Sequence, residues 1–281
     1  MSAQPLPAAA GPWPWPPLIQ VSAGLHAAAA AACFWPAAQA WALAGVVANH
    51  ALLTATGLWP RSTLLGPNLT RLPLPALGPQ NAYALTIDDG PDPETTPAVL
   101  DLLARLDVPA TFFCIAERAR AQPHLIRAIV DAGHSVQNHS HHHRHHFSVY
   151  GPRALRREIE TAQQILGDLS GVAPHCFRAP AGLRSPLLDP VLHRLGLNLV
   201  SWTRRGFDTR EASPLKVLER LARGLSGGDI LLLHDGHARR SASGQAVLLE
   251  VLPALVAQAR AAGLQAVTLR RAVPPRHGPG R

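Results

Sequence analysis

The chain has 281 residues, with 26 basic side chains against 18 acidic ones (formal net charge +8), 27 prolines, 22 glycines and three cysteines. That length fits one large α/β domain with an appendage, and the composition excludes a collagen, a disulfide-stapled miniprotein and a fully disordered chain. No Asp, Glu, Lys or Arg precedes Arg61, so the chain falls into two unlike parts.

Residues 1–17 carry prolines at 5, 7, 12, 14, 16 and 17, which forbid a regular helix there. Residues 18–60 are mostly Ala, Leu and Val, and Pro36 and Gln39 divide them into apolar runs of 18–35 and 40–59. Each run is near the ~20 residues that cross a hydrocarbon layer. Trp13, Trp15, Trp35, Trp41 and Trp59 lie at or near the ends of the runs, where interfacial anchors sit. His26, Gln39, Asn49 and His50 are costly in lipid unless they face a partner helix. A membrane-embedded helical hairpin is therefore expected over 18–60, ahead of a buried soluble helix pair, with membrane lipid as its partner. A signal peptide would show a basic leader and one short apolar run, and this segment has neither.

After a Pro/Leu-rich linker, 61–80, strand and helix patterns alternate over 81–272. Short apolar runs read as strands at Tyr83–Ile87, Ala110–Ile115, His134–Gln137, His175–Phe177, Leu197–Ser201, Asp229–Leu233 and Leu264–Leu269. Between them, helical spacing covers about 97–106, 123–132, 152–169, 186–195, 214–224 and 244–262, with Gly133, Gly171, Gly196 and Gly263 as stops. The tail, 273–281, reads as disordered. Strands alternating with helices through short connections predict parallel pairing.

Both an open doubly wound sheet and a distorted (β/α) barrel of about seven parallel strands satisfy that pattern. Asp88-Asp89, His139, Arg178, Asp208 and His234 favour the barrel. Each follows a predicted strand, and a barrel brings all such carboxyl ends to one rim.

The residue types on that rim suggest a metal-assisted hydrolase. Asp88 and Asp89 would repel each other in one pocket, and a bound cation allows both to stay ionised; a bare turn is the competing reading. Residues 138–146 hold six histidines. If the chain turns helically after the strand, His139 and His143 share a face; 141/145 and 142/146 have the same spacing, and the position of His139 directly after the strand favours 139/143. Two imidazoles and one carboxylate leave a coordination position open, the catalytic arrangement of zinc. Cys33, Cys114 and Cys176 form no CxxC pair, so a thiolate site is not expected. The basic residues are scattered arginines plus Lys216, without the concentrated patch of a nucleic-acid binder.

Residues 84–238 resemble the NodB-homology polysaccharide deacetylases, carbohydrate esterase family 4. The resemblance rests on five motifs in the family's order: Thr-Ile-Asp-Asp-Gly-Pro (86–91), His-Ser-His-His-His (139–143), Arg-Ala-Pro-Ala-Gly (178–182), Trp202 with Asp208, and Leu-Leu-Leu-His (231–234). It implies Asp88 as general base, Asp89, His139 and His143 as ligands of one divalent ion (zinc first, cobalt or manganese next), and His234 as general acid. Arg178 would pair with Asp88, Asp208 would orient His234, and the Ala181 backbone N–H would hold the oxyanion, with Pro180 and Trp202 in the substrate pocket. Asp229 and Asp235 flank the strand before His234 and compete with Asp208 for that role.

Three departures stand out: Ile87 for a Phe, Ala181 for an aromatic, and Arg205 and Thr209 where Asp and Trp are common. The implied reaction is removal of N-acetyl groups from an amino-sugar saccharide in a bacterial-type cell envelope. O-acetyl ester hydrolysis, a non-catalytic membrane-anchored carbohydrate-binding protein and a histidine-rich metal-sequestering protein are the alternatives. Arg61 and Arg71 favour a cytoplasmic main domain, whereas an envelope substrate suits the opposite side.

Overall fold

The structure, a computed structural model, describes residues 11–73 and 81–276. The beginning of the Pro-rich segment (1–10), the end of the linker (74–80) and the last five residues (277–281) lie outside the described residues.

Helices α1 (Pro17–Ala32) and α2 (Pro36–Leu58) form the hairpin, each opening on a proline, where the missing N–H costs nothing. The polar residues meet between the helices: Asn49 Nδ2 donates to Ser22 Oγ at 2.8 Å, and the His26 and His50 Nε2 atoms are 3.2 Å apart. Gln39 Nε2 caps the Cys33 carbonyl at 2.8 Å. Trp35, Trp41, Leu43, Val47 and Leu52 stay exposed. The two runs are unequal: α2, at 23 residues, is long and apolar enough to cross a membrane, whereas α1 has 16.

The main domain is a curled sheet of parallel strands: β1 (Ala82–Asp88), β2 (Thr111–Cys114), β3 (Ser135–Asn138), β4 (Cys176–Phe177), β5 (Asn198–Leu199), β6 (Arg204–Arg205), β7 (Ile230–His234) and β8 (Gln265–Ala266). The order is β5-β4-β3-β2-β1-β7-β6, with β8 on the lower part of β1. The crossover helices are α3 (Thr95–Leu106), α4 (Ala116–Ala121), α5 (Pro123–Asp131), α6 (Pro152–Ser170), α7 (Leu188–Arg194), α8 (Pro214–Ala222) and α9 (Val247–Ala261), and α10 (Leu269–Ala272) follows β8.

Period-2 alternation sorts the strand residues. Tyr83, Leu85 and Ile87 pack outward under the helices with Leu231 and Leu233. Ala82 and Ala84 face inward with Phe113, Cys176 and Ile230. The same alternation carries Thr86, Asp88, Leu232 and His234 to the inner face, so the last inward residue of β1 and of β7 is ionisable.

The expected fifth strand, Leu197–Ser201, is shorter than predicted and is followed by a strand that was not expected. It pairs with β4 through Asn198 and Leu199; after a break at Ser201–Thr203 the chain pairs with β7 through Arg204 and Arg205, as β6. One segment thus bridges the two sheet edges and curls the sheet into a barrel. The linker seals the seam below: Leu69 bridges to Val200, and Arg71 to Asp229.

The tail is ordered further than its composition suggests. Val273 is buried, its carbonyl faces His175 Nε2 at 2.9 Å, and Arg276 ion-pairs with Asp189 at 2.8 Å. A buried imidazole donor and a carboxylate on the domain hold this segment against its weak intrinsic preferences.

Candidate active site

The carboxyl ends of the strands converge as expected. Asp88 and His234 are register partners on β1 and β7. Arg178 follows β4 and is fully buried beneath them. Its Nη1 donates to Asp88 Oδ1 at 2.6 Å and Thr86 Oγ1 at 2.8 Å, its Nη2 and Nε donate to the carbonyls of Ser201 and Val200, and its guanidinium lies 4.1 Å from the Phe113 ring centroid. Burial opposes the Arg178 charge and pulls its pKa down, with Asp88 opposing that pull.

Asp89 adopts φ 75° immediately after β1. Its Oδ1 lies 3.3 Å from His139 Nε2 and 3.3 Å from His143 Nε2, while Oδ2 accepts from His237 Nδ1 at 3.1 Å. Burial works against the Asp89 charge, but the His139 and His237 imidazoles facing it outweigh burial and hold the carboxyl well below its ordinary pKa. His143 is pushed down to about 4 by burial and by His139, so it is neutral at pH 7.

These donors suit a cation. His139 Nδ1 faces the Arg178 carbonyl at 2.8 Å, and a carbonyl only accepts, so Nδ1 carries the proton. A neutral His139 ring then turns an Nε2 lone pair toward a carboxylate oxygen. That oxygen, Asp89 Oδ1, is buried without a hydrogen-bond partner. A divalent ion among one oxygen and two imidazole nitrogens resolves both conflicts.

The pair 139/143 is selected over 141/145 and 142/146, but by a loop rather than the expected helical turn. Ser140 and His143 have φ 69° and 53°. Asn138 Oδ1 accepts from the Ser140 N–H at 2.9 Å, and Ser140 Oγ accepts from the His143 N–H at 3.0 Å. His142 is drawn aside by Glu158 of α6, with Nδ1 2.6 Å from Oε1, and His141 stacks on it.

On the opposite wall, Asp208 accepts from the His234 backbone N–H at 2.7 Å and lies 2.9 Å from His234 Nδ1. Burial lowers the His234 pKa, but the Asp208 charge and hydrogen bond outweigh it, and the pKa is raised above the ordinary imidazole value. The competitors are engaged elsewhere: Asp229 with Arg71 and Arg204, Asp235 with Thr96 Oγ1 at 2.5 Å. Burial pushes Asp235 up to about 7.

Pro180, Ala181 and Gly182 form a one-turn 3₁₀ segment with Ala181 at φ 54°. Among the described residues nothing accepts a hydrogen bond from the Ala181 N–H. A Cβ on Gly182 would approach Trp202 to 2.6 Å and Pro60 to 2.7 Å, so glycine allows this turn to press on both. Ala181, Gly182, Trp202, Asp88, Asp89, His139, His143 and His234 line one cleft of about 460 Å³; Pro180 and Arg178 lie behind it, buried.

Two residues escaped the sequence reading. His237 braces Asp89, and Arg118 donates to the carbonyls of Asp89 and Gly236 at 2.9 and 3.0 Å. A Cβ at Gly236 would sit 2.2 Å from the Asp89 carbonyl oxygen, so only glycine permits that approach. The signal available in the sequence was His234-Asp235-Gly236-His237, two histidines around a turn.

The polysaccharide deacetylase family profile matches residues 77–200. The chain is 36% identical over 169 residues to a chitooligosaccharide deacetylase of Sinorhizobium fredii, covering 60% of this chain and 78% of that one. It is 32% identical over 181 residues to a peptidoglycan-N-acetylglucosamine deacetylase of Bacillus cereus, covering 64% and 84%. A family 4 carbohydrate esterase of Streptomyces lividans, solved in complex with acetate, superposes with TM-score 0.63 at 31% identity, covering 70% of this chain and 100% of that one. With the strand ends and the cleft arranged as described, these likenesses establish that the chain belongs to the polysaccharide deacetylase family, carbohydrate esterase family 4, and is a hydrolase of carbon–nitrogen bonds other than peptide bonds.

Proposed function

We propose that this chain removes N-acetyl groups from an amino-sugar saccharide, releasing acetate, with one divalent ion held by Asp89, His139 and His143. The observation that carries the reading is the register pairing of Asp88 with His234 beside those three ligands. It sets two proton-transfer groups on adjacent strands facing one cleft. Zinc suits one carboxylate and two imidazoles best, with cobalt or manganese able to replace it. When bound, the ion would polarise the acetyl carbonyl and make a water easier to deprotonate.

The chain's own groups do the rest. Arg178 engages Asp88 Oδ1 and leaves Oδ2 to take a proton from the attacking water. The Ala181 N–H donates to the oxyanion. His234, protonated and oriented by Asp208, gives its proton to the departing amine. An amine leaves poorly without a proton, so a supported imidazolium favours amide over ester cleavage. The relatives named for chitooligosaccharide and peptidoglycan N-acetylglucosamine support the same class of substrate.

The exposed apolar side chains of α1 and α2 require a cover, and we assign that cover to membrane lipid, with α2 as the anchor at a bacterial-type envelope. The test is a substrate panel on the full chain in detergent, quantifying acetate against free amine. N-acetylglucosamine oligomers should yield equal amounts of both; acetate without amine, from O-acetylated saccharides alone, would sink the reading.

A further inference from the structure

We propose that Arg205 recognises an anionic group, a phosphate or a carboxylate, on the sugar whose acetamide is cleaved. The proposal rests on the deacetylase reading and names the substrate class within it.

Arg205 lies at the end of β6 and lines the cleft beside Trp202, Thr209 and Arg210. Its guanidinium carbon is 5.3 Å from the Trp202 ring centroid and 5.1 Å from that of Phe207. Contact with two rings fixes the plane of the group, and a fixed guanidinium presents a fork of N–H donors that matches a carboxylate or phosphate. That fork is unused. Among the described residues the Arg205 side chain makes no hydrogen bond and no ion pair, and its Nε is buried without a partner. An unmet buried donor is costly and calls for an explanation.

Arg178, Arg118 and Arg204 are engaged, by Asp88 and carbonyls, by two carbonyls and by Asp229 respectively; Arg184, whose Nε and Nη1 also lack partners, does not line the cleft. The carboxylates near Arg205 are also committed, Asp88 to Arg178 and Asp208 to His234. Among the described residues Arg210 adds a second cation without an ion pair to the same wall; the further carboxylates lining the cleft are Asp89, which faces His139, His143 and His237, and Glu117. A neutral sugar would leave both arginines unanswered.

The hairpin favours one source of that anion. The chain leaving α2 is fastened to the segment that carries Trp202: Ser201 Oγ donates to the Pro60 carbonyl at 2.6 Å, and Arg61 Nη1 to the Thr203 carbonyl at 3.3 Å. With α2 in a bilayer, the Arg205 wall lies at the lipid surface. A phosphate linking the sugar to a membrane lipid would meet it there; the carboxylate of a sugar acid in a soluble polymer has the same chemistry without that geometry.

The experiment compares kcat/KM for acetate release by the full chain in detergent micelles with added zinc. The substrates are a neutral N-acetylglucosamine tetramer, N-acetylglucosamine joined through phosphate to a polyprenyl chain, and a muramyl disaccharide bearing a lactyl carboxylate. Wild type should prefer an anionic substrate by about tenfold or more, the worth of a charge-assisted hydrogen bond. Arg205→Gln should erase that preference, chiefly through KM, and Arg205→Lys should keep part of it as a point charge. Whichever anionic substrate leads identifies the source, and either supports the assignment. Glycerol phosphate should also inhibit the wild-type enzyme more than glycerol at equal ionic strength, a readout that needs no variant. Equal cleavage of all three substrates by wild type, or a preference that survives in Arg205→Gln, would overturn the proposal while leaving the deacetylase reading standing. Acetate from none of the three overturns both.

Discussion

Burial would strip the proton from His234, yet the Asp208 carboxylate, 2.9 Å from Nδ1, keeps the imidazolium in place. A pKa raised in the folded state means the acid form persists above the ordinary value of about 6.5 and is lost as pH rises through the folded value. Asp208→Asn removes the charge but keeps an acceptor near the ring. The alkaline limb of the kcat/KM profile should then move to lower pH, with activity at neutral pH falling roughly tenfold or more. A limb that stays in place would refute the role of Asp208. Asp88, Asp89, His139, Arg178 and His234 were legible in the sequence because each sits where an apolar run stops. Arg118 was not, because it acts through backbone carbonyls that no pattern of side chains announces. Asp208 was chosen over Asp229 and Asp235 through the family resemblance alone, because the pairing of the other two with Arg71, Arg204 and Thr96 is set by the fold.

The strand and helix order was readable because apolar runs of fixed length alternate with helical spacing. The short strand at Arg204–Arg205 was not, since two arginines carry no apolar run and only their pairing with β7 makes them a strand. The His-rich loop is the sharper case. Helical spacing offered 139/143 alongside 141/145 and 142/146, and the structure brings His139 and His143 to Asp89 in a conformation that is not helical. The loop is held instead by Asn138, whose Oδ1 caps Ser140 and whose Nδ2 donates to the Ile159 carbonyl and to Gln163 Oε1 at 3.1 and 3.0 Å. Asn138→Ala removes these buried bonds and should cost about 2–3 kcal/mol, while weakening zinc binding because His143 loses its register. Thermal melts and zinc titration check both; unchanged zinc affinity would mean that another contact sets the loop.

At the scale of the whole molecule, the C-terminal segment is docked by a buried histidine. His175 lies 2.9 Å from the Val273 carbonyl, and burial and Arg270 push its pKa down to about 4. Its folded value lies below its unfolded value, so the unfolded chain takes up a proton first as pH falls. Stability is complete above pH ~6.5 and declines toward pH ~4, by up to about 3 kcal/mol from this one group. His175→Gln should show a shallower loss of melting temperature over that window, and identical slopes would exclude His175 as the source.

The hairpin joins the same frame through Pro60 and Arg61, which are hydrogen-bonded to the segment that carries Trp202. Its apolar runs were plain in the sequence; its fastening to the cleft wall was not, because carbonyls and a glycine make the joint. The most direct measurement is acetate release from N-acetylglucosamine oligomers by the full chain, followed through chelation and zinc re-addition, with Asp89→Ala alongside. The account predicts release that stops with chelator, returns near one zinc per chain, and is not restored in Asp89→Ala. Release indifferent to chelator, or equal in Asp89→Ala, would contradict it.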